Sequence, residues 1–498
     1  MLTRLLILLG STAGGILMWA AFDPIGIGFL AFPALAILAL CVRNRSMWYG
    51  FLAGTVWGLA FFLPLVEWAW TAVGEALPWI ALSISQALFI GLVGAIWSRV
   101  LTLSALPATI MGAFAYAGIE VIRTNWPFGG FPWGMVAFSQ VSTPVLRTAP
   151  ILAAVGVTLV AVFLSLLLAR GIYHLVDDGR VAGLAQVIAP ALVILACITL
   201  SLPQRGETLT VGWVQGGPDI GEHDQGRALN VTLRHEEETM RLLAENDKAD
   251  QIDLLLWPES ASDRDVRETP EAQEIVKRVN EASGVPLILG TQEYVDGGRY
   301  NDYTLWIDGE LRASYSKSRP VPFGEYIPMR DFFANFTDAV GQVTTDMLPG
   351  EGPAILTVPY REAETTLAVP ICFEIAVDQV VQDAVLGGGA ALIVPVNSAS
   401  FGDSAESRQQ LAQTKFRAVE YSRAAVQVST IGVSGVVMPN GTIRQISENG
   451  EAASGVASIP LRTELTPAAQ YGHIYRGVAI FGAFLSLVWA LSLRKDRQ

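Results

Sequence analysis

The stretch Thr366-Leu-Ala-Val-Pro-Ile-Cys-Phe-Glu374 is a short apolar run that ends on a cysteine, with a helix-like segment behind it. The chain has three cysteines. Cys41 and Cys197 lie inside long apolar segments, whereas Cys372 stands in the large polar region with no local disulfide partner. A lone thiol where a strand gives way to a helix is a candidate nucleophile, because the positive helix end favours the thiolate. A buried structural thiol is the competing reading. The rest of the chain decides between them.

Of the 498 residues 51% are hydrophobic, and mean hydropathy is +0.41. That is too apolar for an ordinary soluble enzyme and indicates an integral membrane protein. The net charge of −13 is unevenly placed. Residues 204–470 carry 21 Lys and Arg against 39 Asp and Glu, while the remainder carries 12 against 7. An acidic domain is therefore set into a mildly basic membrane part. No clustered positive charge marks a nucleic-acid surface.

A spanning helix needs roughly 20 mostly apolar residues, and about eight segments qualify. They are Leu2–Phe22, Ile25–Val42, Met47–Val66, Pro78–Val100, Leu106–Ile122, Ile151–Ala169, Val181–Leu202 and Ile474–Leu493. The first has the look of a signal peptide, but a second apolar segment follows across Asp23-Pro24 with no Ala-x-Ala-like cleavage site. With a cytoplasmic N-terminus, the inside loops hold Arg4, Arg43, Arg45, Arg99, Arg170, Arg180, Arg494, Lys495 and Arg497. The outside loops hold Arg123, Arg147, Glu67 and Glu75. By the positive-inside rule the acidic domain then lies outside the cytoplasm. A single unpaired thiol in a place that permits disulfides hints that the thiol is used. Glu120 lies within a span, where an ionisable group is costly and often functional, unless it snorkels to the nearby outer end. The loop Thr124–Gly134, rich in aromatics, Pro and Gly, is no regular helix and suits the membrane interface.

Within the polar region strands and helices alternate, which predicts a layered α/β domain. Strands are expected at Thr208–Gln215, Ile252–Trp257, Pro286–Glu293, Tyr303–Asp308, Glu310–Ser316, Ala354–Val358, Thr366–Ile371, Ala390–Val396, Gln427–Ile431, Val433–Met438 and Gly455–Ile459. Helices are expected at Arg227–Asn246, Glu271–Ser283, Val377–Leu386 and Ala405–Ser422. Asp308-Gly309 is a hairpin turn signal.

Three strand ends carry chemistry: Glu259 in Leu256-Trp-Pro-Glu-Ser260, Lys317 in Ser314-Tyr-Ser-Lys317, and Cys372. Catalytic residues gather at strand ends in layered α/β folds. A carboxylate can take the thiol proton, an ammonium can stabilise thiolate and oxyanion, and a thiol can form an acyl-enzyme. Glu325, in Pro322-Phe-Gly-Glu-Tyr-Ile-Pro328, follows Lys317 closely enough to orient it or to share the base role.

These motifs, in this order inside this membrane layout, resemble the Glu-Lys-Cys nitrilase (carbon-nitrogen hydrolase) superfamily, and specifically the bacterial apolipoprotein N-acyltransferases. The resemblance covers nearly the whole chain. It implies an α-helical membrane bundle of about eight transmembrane helices and a nitrilase-like α/β domain, an αββα four-layer sandwich. It places the transmembrane domain at 1–203, the extracytoplasmic catalytic domain at 204–470, and a final span with a cytoplasmic tail at 471–498, all in the bacterial cytoplasmic membrane. It assigns Glu259 as base, Lys317 as thiolate and oxyanion stabiliser, and Cys372 as nucleophile. Glu325, Glu374 and Asn301 are implied to support them. Phe332, Phe333, Phe336 and Phe401 are lid candidates, and Phe373 and Trp257 are candidates for substrate contact. The chain departs from the family pattern at Gly217, Ser398, Ile431 and Phe373.

The implied reaction moves a fatty acyl chain from a membrane phospholipid, through a Cys372 thioester, to the α-amino group of a diacylglyceryl-cysteine at a lipoprotein N-terminus. No cofactor, no metal and no nucleic acid are expected, and a monomer is. The four histidines, 174, 223, 235 and 473, have no ligand spacing with cysteine. Two other readings stand beside this one. A membrane-anchored amidase would use the same triad with water as acceptor, although one anchor would suffice for it. A transporter or receptor leaves the three strand-end residues without a role.

Overall fold

The computed structural model describes residues 2–101, 105–176, 182–217 and 227–493. Arg180, Arg494, Lys495, Arg497, Val181 and His223, named above, lie outside the described residues. The chain divides into two compact units: Met1–Ser201 with Gln470–Gln498, and Leu202–Ala469.

The first unit is helical. Its main helices are α1 (Leu2–Ala20), α2 (Ala31–Val42), α3 (Met47–Leu65), α4 (Ala76–Val100), α5 (Ala105–Arg123), α6 (Ala149–Val176, broken at Ala153) and α7 (Ala182–Cys197). Four helical segments are long and apolar enough to cross a membrane: Met47–Leu65, Ala76–Val100, Pro144–Val176 and Pro467–Ser492. That is half the number expected. Arg4–Ala20, Gly28–Val42 and Gly183–Cys197 are apolar but shorter. The second is short because its helix proper starts at Ala31, after a 3-10 turn at Gly28–Leu30, and the third contains Pro190.

Close packing of α3 on α4 rests on glycines four apart. A Cβ at Gly50 would strike the Gly94 carbonyl, and one at Gly54 the Ile90 carbonyl. Small residues at this spacing let two apolar helices approach where the lipid supplies no hydrophobic drive. Glu120 does not snorkel. It is 4% exposed, accepting from Thr158 Oγ1 (2.7 Å) and the Val136 amide (2.9 Å). Arg123, one turn on, donates to the Phe131 and Trp133 carbonyls at 2.9 and 2.8 Å and so fixes the Pro-Gly loop.

The second unit holds two six-stranded sheets, with strand orders β12-β1-β2-β3-β4-β5 and β11-β10-β9-β8-β7-β6. The first half contributes β1 (Glu207–Gln215), α8 (Arg227–Glu245), β2 (Leu254–Leu256), α9 (Pro270–Ser283), β3 (Leu287–Val295), β4 (Gly298–Ile307) and β5 (Glu310–Ser316). The second half contributes β6 (Ile355–Tyr360), β7 (Ala363–Ala368), α10 (Asp378–Leu386), β8 (Leu392–Val396), α11 (Glu406–Glu420), β9 (Ala425–Ser429), β10 (Gly435–Val437), β11 (Ile443–Ile446) and β12 (Ala453–Leu461). A final helix, α12, spans Pro467–Ser492.

The sheets face each other across one apolar core that includes Val211, Leu256, Leu356, Leu367, Ile393 and Val426. Helices α8 and α9 cover the other side of the first sheet through Leu242, Ile275 and Val279. Helices α10 and α11 pack on β7, β9 and β10 of the second sheet. The result is four layers, helix, sheet, sheet, helix. Each sheet has a parallel centre, β1-β2-β3 and β7-β8-β9. The β4–β5 hairpin turns at Asp308 (φ 55°) and Gly309 (φ 76°), the double positive φ of a type I′ turn. Strand β11 lies in an alternating, largely exposed edge segment and was not expected from the sequence.

Candidate active site

Glu259 is carried past β2 on a backbone that crosses β3 at very short range. A Cβ at Gly290 would lie 2.6 Å from the Glu259 Cα, and the Gly290 amide donates to the Pro258 carbonyl at 3.0 Å. Ser260 takes up the turn with φ 50°. Gly290→Ala must therefore push this segment outward. Any step that uses Glu259 is expected to slow about 10²-fold from misplacement alone, read as initial rates on chain that retains its far-UV circular dichroism.

The Glu259 carboxylate is 4% exposed and fully occupied. Its Oε1 accepts from Asn301 Nδ2 (2.6 Å) and Lys317 Nζ (3.3 Å), and its Oε2 accepts from the Asn397 amide (2.8 Å). Asn301 and Lys317 come from neighbouring strands, and the Lys317 amide donates to the Asn301 carbonyl at 2.8 Å. Lys317 is completely buried. Its Nζ also donates to Glu325 Oε1 at 2.6 Å, and Glu325 Oε2 accepts from the Val321 amide at 2.7 Å. Burial alone would lower the ammonium's pKa, but Glu259 and Glu325 outweigh it and hold Lys317 well above the usual lysine value. It stays cationic throughout the physiological range.

Cys372 lies four residues beyond Ala368, the last of β7, in the left-handed region with φ 52°. A non-glycine residue held there is an uncommon backbone state of the kind found at functional sites. The element behind it is a 3-10 turn, Cys372–Ala376, and the α-helix starts only at Asp378. The helix end expected to favour the thiolate is thus not at the sulfur. Burial and then Glu259 push the Cys372 thiol well above its ordinary value, with Lys317 opposing them. The resting group is a thiol that needs a base.

Glu374 clamps this turn to the segment after Lys317. Its Oε1 accepts from the Ser318 and Arg319 amides (2.8 and 3.0 Å) and its Oε2 from the Ile371 amide (2.8 Å), and Tyr315 Oη donates to both oxygens. Arg417, wholly buried on α11, braces the same turn by donating to the carbonyls of Ile375 (2.9 Å) and Ala376 (2.8 Å). Tyr315, Arg417 and the Asn397 amide were missed in the sequence. Nothing local marks them; they are recognisable only when the chain is folded.

The structure thus joins Glu259, Lys317, Glu325 and Asn301 in one hydrogen-bonded set, with Cys372 under the charge of Glu259, Lys317 and Glu325. Phe332, Phe333 and Phe336 form a ring cluster with Phe323, and Phe332 and Phe336 are 51% and 62% exposed. Phe401 ends the short turn Ala399–Phe401. Two substrate-contact candidates need correction. Trp257 is fully buried in the helix-facing core and donates to Thr239 Oγ1 at 3.0 Å, so it supports α8. Phe373 is buried at 8% exposure.

One carboxyl near the site was not foreseen. Glu406 is 2% exposed, and burial, with Glu259 adding to it and Ser398 opposing it, raises the Glu406 pKa to about 8. A pKa raised on folding stabilises the fold below the unfolded value and loses that contribution as pH rises through the folded one. Glu406→Gln should therefore be more stable than the parent by roughly 4 kcal/mol at pH 8, a gap that closes towards pH 4. Thermal melts across that range check it.

Residues 14–167 match a family model described as the apolipoprotein N-acyltransferase N-terminal domain. An apolipoprotein N-acyltransferase of Mycolicibacterium smegmatis is 32% identical over 96% of this chain and 84% of its own. Its counterpart in Gloeobacter violaceus is 29% identical over 96% of this chain and 93% of its own, and that of Pseudomonas aeruginosa 26% identical over 97% and 95%. Among solved structures, an amidase from Nesterenkonia sp. is similar with a TM-score of 0.40 at 18% identity, covering 56% of this chain and 99% of that chain. The full-length relatives define an acyltransferase, here with a four-layer α/β unit. With four helices apolar and long enough to cross a bilayer, it is a membrane protein. The chain belongs to the apolipoprotein N-acyltransferase family.

Proposed function

We propose that the chain takes its acyl group from a membrane phospholipid and passes it, as a Cys372 thioester, to the α-amino group of a diacylglyceryl-cysteine at a lipoprotein N-terminus. The observation that carries this is the buried Glu259–Lys317–Glu325–Asn301 set acting on a protonated thiol. Glu259 accepts the sulfur proton as Sγ attacks the ester carbonyl carbon. Lys317 offsets the charge on the carbonyl oxygen. As the tetrahedral species collapses, the C–O bond breaks and the glycerol oxygen receives the proton from Glu259, releasing a lysophospholipid. The neutral amine then attacks the thioester. Glu259 takes the amine proton, the C–S bond breaks, and the sulfur regains a proton.

Both substrates are lipid-anchored, which fits a helical unit with membrane-crossing segments. The full set of about eight spans, with the α/β unit on the extracytoplasmic face, is part of this proposal. The cluster of Phe333 with the exposed Phe323, Phe332 and Phe336 then shields the thioester from water.

The test supplies purified protein with acyl-labelled phospholipid, first alone and then with a synthetic diacylated lipopeptide bearing a free N-terminus. Label discharged to the peptide amine supports the transferase. Discharge to water alone at the same rate with and without peptide would contradict it and favour an amidase-like hydrolase.

A further inference from the structure

We infer that Arg43 and Arg170, where the end of α2 meets α6, form a binding site for the phosphate of an anionic phospholipid headgroup. The site belongs to the helical unit and shares no residue with the Cys372 set. Arg43 and Arg170 line one recess with Ala39, Leu40, Leu101 and Leu166. Arg170 is 9% exposed, and its Nε is buried without a hydrogen-bond partner. Its Nη2 lies 3.2 Å from His174 Nε2. The Arg43 guanidinium stacks 3.6 Å from the Tyr173 ring centroid, and its Nε is likewise buried and unpartnered. Among the described residues neither arginine forms an ion pair with a carboxylate.

This is an unbalanced arrangement. A buried cation without a counter-charge is costly, and two facing one apolar recess repel each other as well. Tyr173 and His174 hold the guanidinium groups in place but carry no negative charge. Among the described residues no carboxylate supplies the balancing charge, and a bound anion would. Guanidinium forks match phosphate oxygens bidentately, with more geometric demand than lysine makes. The aliphatic walls suit the glycerol and upper acyl carbons of a lipid better than a free ion. Basic pockets between membrane helices recognise anionic headgroups in this way.

The experiment uses the full chain in detergent, stripped of lipid and carrying Cys372→Ala so that no lipid is consumed. Melting temperature is titrated with phosphatidylglycerol, phosphatidylcholine or inorganic phosphate. Phosphatidylglycerol should raise it saturably. Arg43→Gln/Arg170→Gln should need at least about tenfold more lipid, the loss of one to two bidentate charge-assisted contacts. The same pair of changes in chain that keeps Cys372 should leave acyl-enzyme formation from detergent-presented donor unchanged. Arg43→Lys, which keeps the charge, serves if the double variant does not fold, with an expected weakening of at least threefold. Equal response of parent and variants to phosphatidylglycerol overturns the site. Equal stabilisation by phosphatidylcholine overturns the selectivity for an anionic headgroup, and equal stabilisation by inorganic phosphate overturns the lipid as its source.

Discussion

Cys372→Ala is expected to abolish covalent acyl capture and to cut lipopeptide acylation by at least about 10⁴-fold. No other described cysteine stands in the α/β unit, since Cys41 and Cys197 belong to α2 and α7. The loss should come without unfolding. Alanine removes only the sulfur, and the turn is held by the Glu374 and Arg417 hydrogen bonds to its backbone and flanks, which stay. Cys372→Ser should be almost as inactive. Its hydroxyl is a far weaker acid than a thiol, and the burial and Glu259 charge that already raise the thiol pKa would act on it in the same direction. Intact-protein mass after incubation with phospholipid gives the answer directly. A fatty-acyl mass increment that persists in Cys372→Ala would place the covalent chemistry elsewhere.

Lys317→Met carries the second large effect, on rate and on stability together. The ammonium is completely buried between Glu259 and Glu325, at 3.3 and 2.6 Å. In the proposed mechanism, removing it takes away the charge that stabilises the oxyanion, so acyl-enzyme formation should fall about 10²- to 10³-fold. It also leaves two carboxylates facing each other in a buried site. Breaking a buried pair by deleting one partner costs about 3–5 kcal/mol. The sign with pH follows from the raised Lys317 pKa. Its contribution is complete below the unfolded lysine value and fades only above the folded one. The stability gap between parent and variant should therefore be flat from pH 6 to 9. Adding Glu325→Gln to Lys317→Met should restore part of the melting temperature and none of the rate. Full recovery of the rate would show that Lys317 only balances charge.

Much of the α/β unit was legible because its strands are short apolar runs bounded by turn residues. Asp308-Gly309 fixed one hairpin register, and Glu259, Lys317 and Cys372 each ended an apolar run. The helical unit was harder. Apolar composition locates helices but not their ends: one expected span opens on a 3-10 turn at Gly28–Leu30, and another ends its helix at Cys197. The Gly50, Gly54 and Gly58 spacing was readable and went unread. The supporting shell of the site was not readable at all. Arg417 is 45 residues from Cys372 in sequence, and Tyr315 reaches Glu374 across the two sheets. Trp257 misled because it adjoins Glu259. Strand alternation puts its ring with Leu255, on the face away from Leu254 and Leu256, in the core beneath α8.

The central claim is that Cys372 carries the acyl group between donor and acceptor. The most direct measurement is a single-turnover pulse and chase. The protein is mixed with phospholipid alone, quenched, digested and examined by mass spectrometry for a fatty-acyl thioester on the peptide containing Pro370-Ile-Cys-Phe-Glu374. A second sample is chased with diacylated lipopeptide before quenching. The predicted result is an adduct on Cys372, cleaved by neutral hydroxylamine, that disappears in the chase as N-acylated peptide appears in equal amount. N-acylated peptide formed at full rate with no adduct on Cys372 at any time would contradict the account.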